Sequence, residues 1–172
     1  MHDNFSMFEL DDIDLRLLDL LQDNAGLSNQ DLAAAAAVSP ATALRRVRRL
    51  TEAGIVERRI ALLSTEKLGA GLQALVEVQL DRQGAEHLDA FEALAVADTA
   101  VQQCWRVSPG PDFVLVLWVA DMAAYQVTVQ RLFTQHANVR NVKSYFAVKR
   151  AKFLPRVDLR ALRPGSSAPP GP

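Results

Sequence analysis

Apolar positions in the first third of the chain recur at helical spacing. Ile13, Leu17, Leu20 and Leu21 fall on one side of a helix. Asp11 and Asp12 open it, where carboxylates complement the positive helix end, and Asn24-Ala25-Gly26 stops it. A second helix opens at Ser28, a good N-cap with Asp31 placed as in a capping box, and Leu27 and Leu32 stand as a hydrophobic staple. Its Leu-Ala run over 32–37 is strongly helical and small enough for another helix to approach closely. The third helix has the clearest punctuation. Ser39 caps it, Pro40 sits at the first helical position, and Gly54 follows its end. Leu50 and Ile55 stand where a Schellman ending puts its apolar contact, so the predicted span is about 40–53. Leu44, Val47 and Leu50 form its inner stripe, with Thr42, Arg45, Arg46 and Arg49 largely on the other side.

Beyond the third helix the period changes. Residues 55–63 predict a strand or short hairpin, and 64–71 a linker with two glycines. Ala74, Val76, Val78 and Leu80 alternate with Glu77, Gln79 and Asp81 as in a half-exposed strand. A helix follows over 84–97, with Leu88, Phe91 and Leu94 or Ala95 facing in. Strands over 101–107 and 113–120 flank the turn Ser108-Pro109-Gly110-Pro111-Asp112. Met122, Tyr125, Val129, Leu132 and Phe133 mark a further helix, and 139–150 a last strand. The order βαββαβ is the ferredoxin-like arrangement, an antiparallel sheet covered by helices on one face. The fold class is therefore α+β, in five stretches. Residues 1–9 form a flexible N-terminus, 10–56 a helix-turn-helix domain and 57–71 a connector. Residues 72–157 form the ferredoxin-like domain, and 158–172 a basic tail ending in a disordered Pro/Gly/Ser stretch.

Composition changes this picture only through charge placement. The 172 residues are 49% hydrophobic and 23% charged, as in an ordinary globular chain, and carry a net charge of −1. That net value hides two basic blocks. Residues 1–37 hold eight acidic side chains against Arg16; residues 38–60 hold six arginines against Glu52 and Glu57. Residues 139–163 hold eight Lys or Arg against Asp158. A local stripe, rather than a net charge, is what meets phosphate. The longest apolar run, 113–120, is strand-sized, so no membrane span is predicted. The acidic, polar start and the single Cys104 fit a soluble cytoplasmic protein without disulfides.

Two helices joined by a tight turn, the second capped and basic on one side, make the helix-turn-helix pattern, whose second helix enters the major groove. Arg45, Arg46 and Arg49 are expected to point into or along that groove, with Thr42, Ser39 and Pro40 at the helix start. Arg48 is expected to be rotated aside toward a phosphate, as are Arg58 and Arg59, with the cap Ser28 also among the contacts. The same residues also suit a three-helix packing unit with a solvated arginine face.

The strings Leu10-Asp11-Asp12-Ile13-Asp14 and Leu17-Leu18-Asp19-Leu20-Leu21-Gln22 resemble the opening of the feast/famine regulators, the Lrp/AsnC family. So do Leu27-Ser28-Asn29-Gln30-Asp31-Leu32-Ala33, Val38-Ser39-Pro40, the run from Arg45 to Leu50, and Ala53-Gly54-Ile55-Val56. The resemblance runs from about Leu10 to Val157. It implies a winged-helix-like DNA-binding domain, a linker strand, and a ferredoxin-like domain that forms homodimers. Such dimers assemble into higher homo-oligomers and bind an amino acid or related metabolite. The family's effector pocket uses the turn between the second and third strands of that domain. Carried over, it comprises Ser108, Pro109, Gly110 and Asp112, with Ser144 on the last strand. Here Pro stands where the family has Gly, Val142 replaces a hydroxyl residue, and Asp112 also fits as a simple cap of the turn.

Other chemistries lack their residues. His2, His87 and His136 are too scattered for a metal site, and neither a phosphate-binding loop nor a nucleophile elbow is present, so no cofactor is predicted. A related group with this architecture acts as haem-precursor decarboxylases through histidines of the second domain, for which His87 and His136 are the candidates. The leading expectation is a non-enzymatic regulator of double-stranded DNA. A sensing or oligomerisation module without DNA binding stands behind it.

Overall fold

The computed structural model describes residues 9–65, 67–69 and 71–162. The N-terminus up to residue 8 and the Pro/Gly/Ser tail from residue 164 lie outside them. The chain divides into two compact units. One runs up to Leu62 and also takes in the segment from Leu154 onward; the other is Leu63–Phe153.

In the first unit, α1 (Asp12–Asp23), α2 (Asn29–Ala36) and α3 (Pro40–Glu52) form a three-helix cluster. Asp11 caps α1 by accepting from the Ile13 and Asp14 N–H groups, and Asp14 closes a capping box on the Asp11 N–H. Ser28 and Ser39 cap α2 and α3 through the N–H groups of Asp31 and Thr42. The α3 ending is a full Schellman motif. The Ile55 N–H donates to the Leu50 carbonyl (3.0 Å) and the Gly54 N–H to that of Thr51 (3.0 Å), with Gly54 at φ +73°. The α2–α3 turn closes in the same way with Ala37 in the left-handed region, and Arg16 of α1 donates to the Ala36 carbonyl (3.0 Å).

Two predicted features differ. The buried stripe of α3 is Ala43, Val47 and Leu50, and Leu44 is 60% exposed, because the small Ala43 is what the closely packed α2 admits. Residues 55–63 form no strand, since no neighbouring strand in the described chain supplies a ladder; Ile60, Leu62 and Leu63 lie exposed.

The first unit also contains a segment expected to belong elsewhere. Leu159, in the short 3-10 turn Leu159–Leu162, is buried against Leu15, Leu18 and Leu50. Arg156 pairs with Asp19 and Asp23, and Val157 exchanges two backbone hydrogen bonds with the Gln22 amide. Leu159 thus joins the helical core, while residues 154–158 are exposed and are held to the unit through the Arg156 and Val157 contacts.

The second unit is a four-stranded antiparallel sheet in the order β2-β3-β1-β4: β1 (Leu72–Leu80), β2 (Val101–Arg106), β3 (Phe113–Val119) and β4 (Val139–Phe146). With α4 (Ala85–Ala97) and α5 (Met122–Val129), this realises the βαββαβ order. One sheet face packs on the helices through Ala74, Val76, Val78, Leu80, Phe113, Leu115 and Leu117, joined by Phe91, Ala95, Leu132 and Phe133. Phe91 and Phe113 meet with ring centroids 4.9 Å apart. After α5 the chain continues through a π-helical turn, Gln130–Thr134, whose Arg131 donates to Asp98 at the end of α4 (2.6 Å). That hydrogen bond holds the Asp98 carboxyl below its ordinary pKa.

Candidate nucleic-acid interface and effector cleft

Around α3 the arginines divide by partner. Asp14 is fully buried, and its carboxylate accepts from Arg46 Nη1 (2.9 Å) and Arg49 Nη2 (2.5 Å). Arg46 also pairs with Asp11 (2.7 Å), and its side chain is only 18% exposed. The Asp14 backbone N–H, then Arg46, hold the Asp11 carboxyl below its usual value, and the two carboxylates hold the Arg46 guanidinium raised. The predicted outward position of Arg46 is therefore corrected. At about 100° per residue it faces α1 rather than solvent, and a buried carboxylate demands its charge.

Arg49 is half-exposed but tied to the same Asp14. Arg48, expected to be rotated aside, stands on the open side of α3 and pairs with Glu52 one turn on (2.7 Å). Arg45 is exposed and is the α3 arginine without a carboxylate partner among the described residues. Ala41, and Leu44 that the sequence places on the inner stripe, are exposed on the same helix as Arg45 and Arg48. Ser28, Ser39, Pro40 and Arg58 are exposed as well; Thr42 is half-buried, its hydroxyl 2.8 Å from that of Ser39. The helix thus presents one unengaged guanidinium, a second held by a weak surface pair that solvent screens, and two anchored arginines.

In the second unit the turn residues and Ser144 do not converge. Asp112 Oδ2 accepts from the Leu80 N–H (2.7 Å) and Gln83 Nε2 (3.3 Å), and the Asp112 N–H donates to the Val78 carbonyl (2.9 Å), which pins the turn to the end of β1. Ser144 pairs with Val76 on the helix-covered face, and its hydroxyl accepts from Tyr125 of α5. Ser108 and Pro109 are exposed and joined by a cis peptide bond. A cleft of about 280 Å³ does open beside the turn, but its other walls are different. Gly110 and Pro111 face Glu77, Gln79, Asn141 and Lys143. The β1–β4 register sets Glu77 opposite Lys143 and Gln79 opposite Asn141. The alternating polar positions of β1 were visible in the sequence; their β4 partners depended on register.

The sheet face away from the helices is apolar along its centre. Val116, Leu75 and Tyr145 form one cross-strand row, and Trp105 and Val114 begin the next. Leu75, Trp105 and Tyr145 are 44%, 58% and 52% exposed. Cys104 lies half-buried toward the core, and burial pushes its thiol pKa up. His136 sits edge-on to Phe91 in the helix layer (5.8 Å), and His87 stands on α4 beside Glu86.

A capped helix-turn-helix followed by a βαββαβ sheet unit defines a two-part DNA-binding regulator. The winged helix-turn-helix DNA-binding profile matches residues 10–57, and the Lrp/AsnC ligand binding domain profile matches 73–157. The Bkd operon transcriptional regulator of Pseudomonas aeruginosa is 37% identical over 143 residues, 83% of this chain and 94% of that protein. The leucine-responsive regulatory protein of Rhizobium meliloti is 34% identical over 151 residues, covering 88% and 97%. Among solved structures, a transcriptional regulator of Neisseria meningitidis in complex with L-Met superposes with a TM-score of 0.82 at 32% identity, covering 90% of this chain and all of that one. An AsnC family regulator from Agrobacterium tumefaciens reaches the same TM-score at 27% identity. The chain belongs to the Lrp/AsnC family of transcription regulators.

Proposed function

We propose that this protein binds a two-fold DNA site as a homodimer, with Arg45 as the base-reading side chain of each α3 and a small zwitterionic amino acid as effector. The observation that carries the DNA reading is the division of the α3 arginines. Arg46 and Arg49 fasten the helix to Asp14, which leaves Arg45 to reach a guanine edge bidentately. Arg48, once it exchanges Glu52 for a phosphate, and Arg58 set the register, together with the exposed helix start at Ser39, Pro40 and Thr42 and the cap Ser28. Dimerisation is supported by the uncovered sheet face, since a solvated antiparallel sheet would carry polar residues where this one carries Val116, Leu75, Tyr145 and Trp105. Exposed Val96, Met122 and Val127 on the helix layer offer contacts for a higher homo-oligomer. The protein acts in the cytoplasm, where its duplex is.

For the effector, the supporting observation is charge placement in the 280 Å³ cleft. Glu77 suits an ammonium group and Lys143 a carboxylate, between the amides of Gln79 and Asn141, with Gly110 as the wall. Asp112, Ser108 and Pro109 shape the turn, and Ser144 supports the helix layer rather than the ligand. Lys143→Gln should weaken binding of a free amino acid roughly tenfold, as judged by calorimetry, because a charge-assisted bond to the carboxylate is lost.

Fluorescence anisotropy with a duplex selected from random sequence tests the DNA reading. Arg45→Ala should cost about 1–3 kcal/mol on the selected duplex and little on scrambled duplex, at a stoichiometry of two chains per site. Equal losses on both duplexes would place base reading elsewhere.

A further inference from the structure

At the end of the sheet opposite the 107–112 turn there is a second cleft, of about 220 Å³. It is bordered by Thr65 and Gly71 of the connector, Gln73 of β1, Gln102 of β2, Trp118 of β3, and Lys149 and Arg150 beyond β4. Several local features build it. The β1–β3 register sets Gln73 opposite Trp118. A Cβ on Gly71 would stand 2.5 Å from the Trp118 indole Nε1, so the ring lies against bare backbone and no larger residue fits beneath it. The β2–β3 register slips between Val101 and Gln103, leaving Gln102 without a β3 partner. Such bulges re-aim a side chain, and here it borders the cleft. Past β4, the Ala147 N–H donates to the Gln73 carbonyl (2.9 Å), which carries Lys149 and Arg150 past the mouth.

The electrostatics are one-signed. Among the described residues no carboxylate pairs with Lys149 or Arg150, and none of the described lining residues is acidic. The Arg150 guanidinium lies over the Phe153 ring, 5.4 Å from its centroid, an arrangement that engages its face and leaves its N–H edge available. The cleft at the turn, by contrast, offers one acid and one base.

We propose that this second cleft binds a small carboxylate with a flat body, the carboxylate on Lys149 and Arg150 and the body against Trp118. A guanidinium fork matches a carboxylate bidentately, the indole supplies a flat apolar wall, and the Gln73 and Gln102 amides can meet a further polar atom. At roughly 30 Å³ per water, the space holds about seven waters, and so a ligand on the order of ten non-hydrogen atoms.

Benzoate is a suitable probe, with its neutral isostere benzamide and inorganic phosphate as controls. Calorimetry on the full chain should give saturable benzoate binding that Lys149→Gln/Arg150→Gln weakens roughly tenfold or more, with benzamide silent. Of the two indole N–H signals in a nitrogen–proton spectrum, the one lost in Trp118→Phe should be the one that benzoate shifts. No saturable binding, or equal binding of benzamide, overturns the proposal. So does phosphate competing at the affinity of benzoate, which would mark a general oxyanion site. A Lys149→Gln/Arg150→Gln variant that keeps benzoate but loses duplex affinity would assign the two cations to the DNA backbone instead.

Discussion

Asp14→Ala lowers the stability of the helical unit by about 3 kcal/mol, read as a shift of the urea midpoint for the loss of helical signal. The carboxylate is fully buried and satisfies donors from two arginines of α3 as well as the Asp11 N–H. Removing it strands Arg46, which keeps only the half-exposed Asp11. Breaking a buried pair by deleting one partner costs about 3–5 kcal/mol, and the lower end applies because Arg49 can turn to water. Replacing both members with apolar residues, Asp14→Leu with Arg46→Met, should recover most of the loss, since it also removes the cost of burying charge. A wild-type midpoint in Asp14→Ala would show that the network does not hold α3. The same logic separates two arginines that look alike in sequence. If α3 reads the duplex as proposed, Arg46→Ala should weaken every duplex together by loosening the helix, whereas Arg45→Ala should change which duplex is preferred.

Leu159→Ala destabilises the helical unit by about 2–3 kcal/mol, and a chain ending after Phe153 does so by more. Leu159 is 9% exposed, and truncating a buried leucine forfeits its transfer energy and leaves a cavity beside Leu15, Leu18 and Leu50. The shortened chain also loses Arg156 against Asp19 and Asp23 and both bonds to Gln22. Leu50 lies in the last turn of α3, so the loss reaches the second helix of the helix-turn-helix directly. Hydrogen exchange is the decisive readout. Protection across α1 and α3 should fall while that of β1 and β3 stays level. Unchanged protection in α1 would mean that the segment rests on the unit without supporting it.

Both predictions concern features that local pattern reading handled unevenly. Caps and helix ends were legible because they are local. Ser28, Ser39, Pro40 and Gly54 each satisfy or spare backbone groups within a few residues, and the structure places each helix end there. The βαββαβ order of elements was legible because alternation on β1, helical spacing in α4 and α5 and the Pro/Gly turn mark each element locally, and the structure follows it. The inner face of α3 was read less well. Leu44 looked like core by size, but the small Ala43 faces α2 instead. The arginine face failed for a related reason. Charge alone suggested that Arg45, Arg46 and Arg49 were equivalent, yet Asp14, 32 residues upstream of Arg46, takes two of them.

The two-part α+β organisation, the family and the position of the helix-turn-helix can all be read from the order of residues alone. These rest on periodicity, capping and turn chemistry, whose physics acts over a few residues. Packing in three dimensions selects which α3 arginine lacks a carboxylate partner among the described residues, sets Glu77 opposite Lys143, and returns Leu159 to cover a second apolar side of α1. Those outcomes depend on strand register and on contacts between residues up to about 140 positions apart, where the partner that satisfies a buried charge or covers a leucine is chosen by packing.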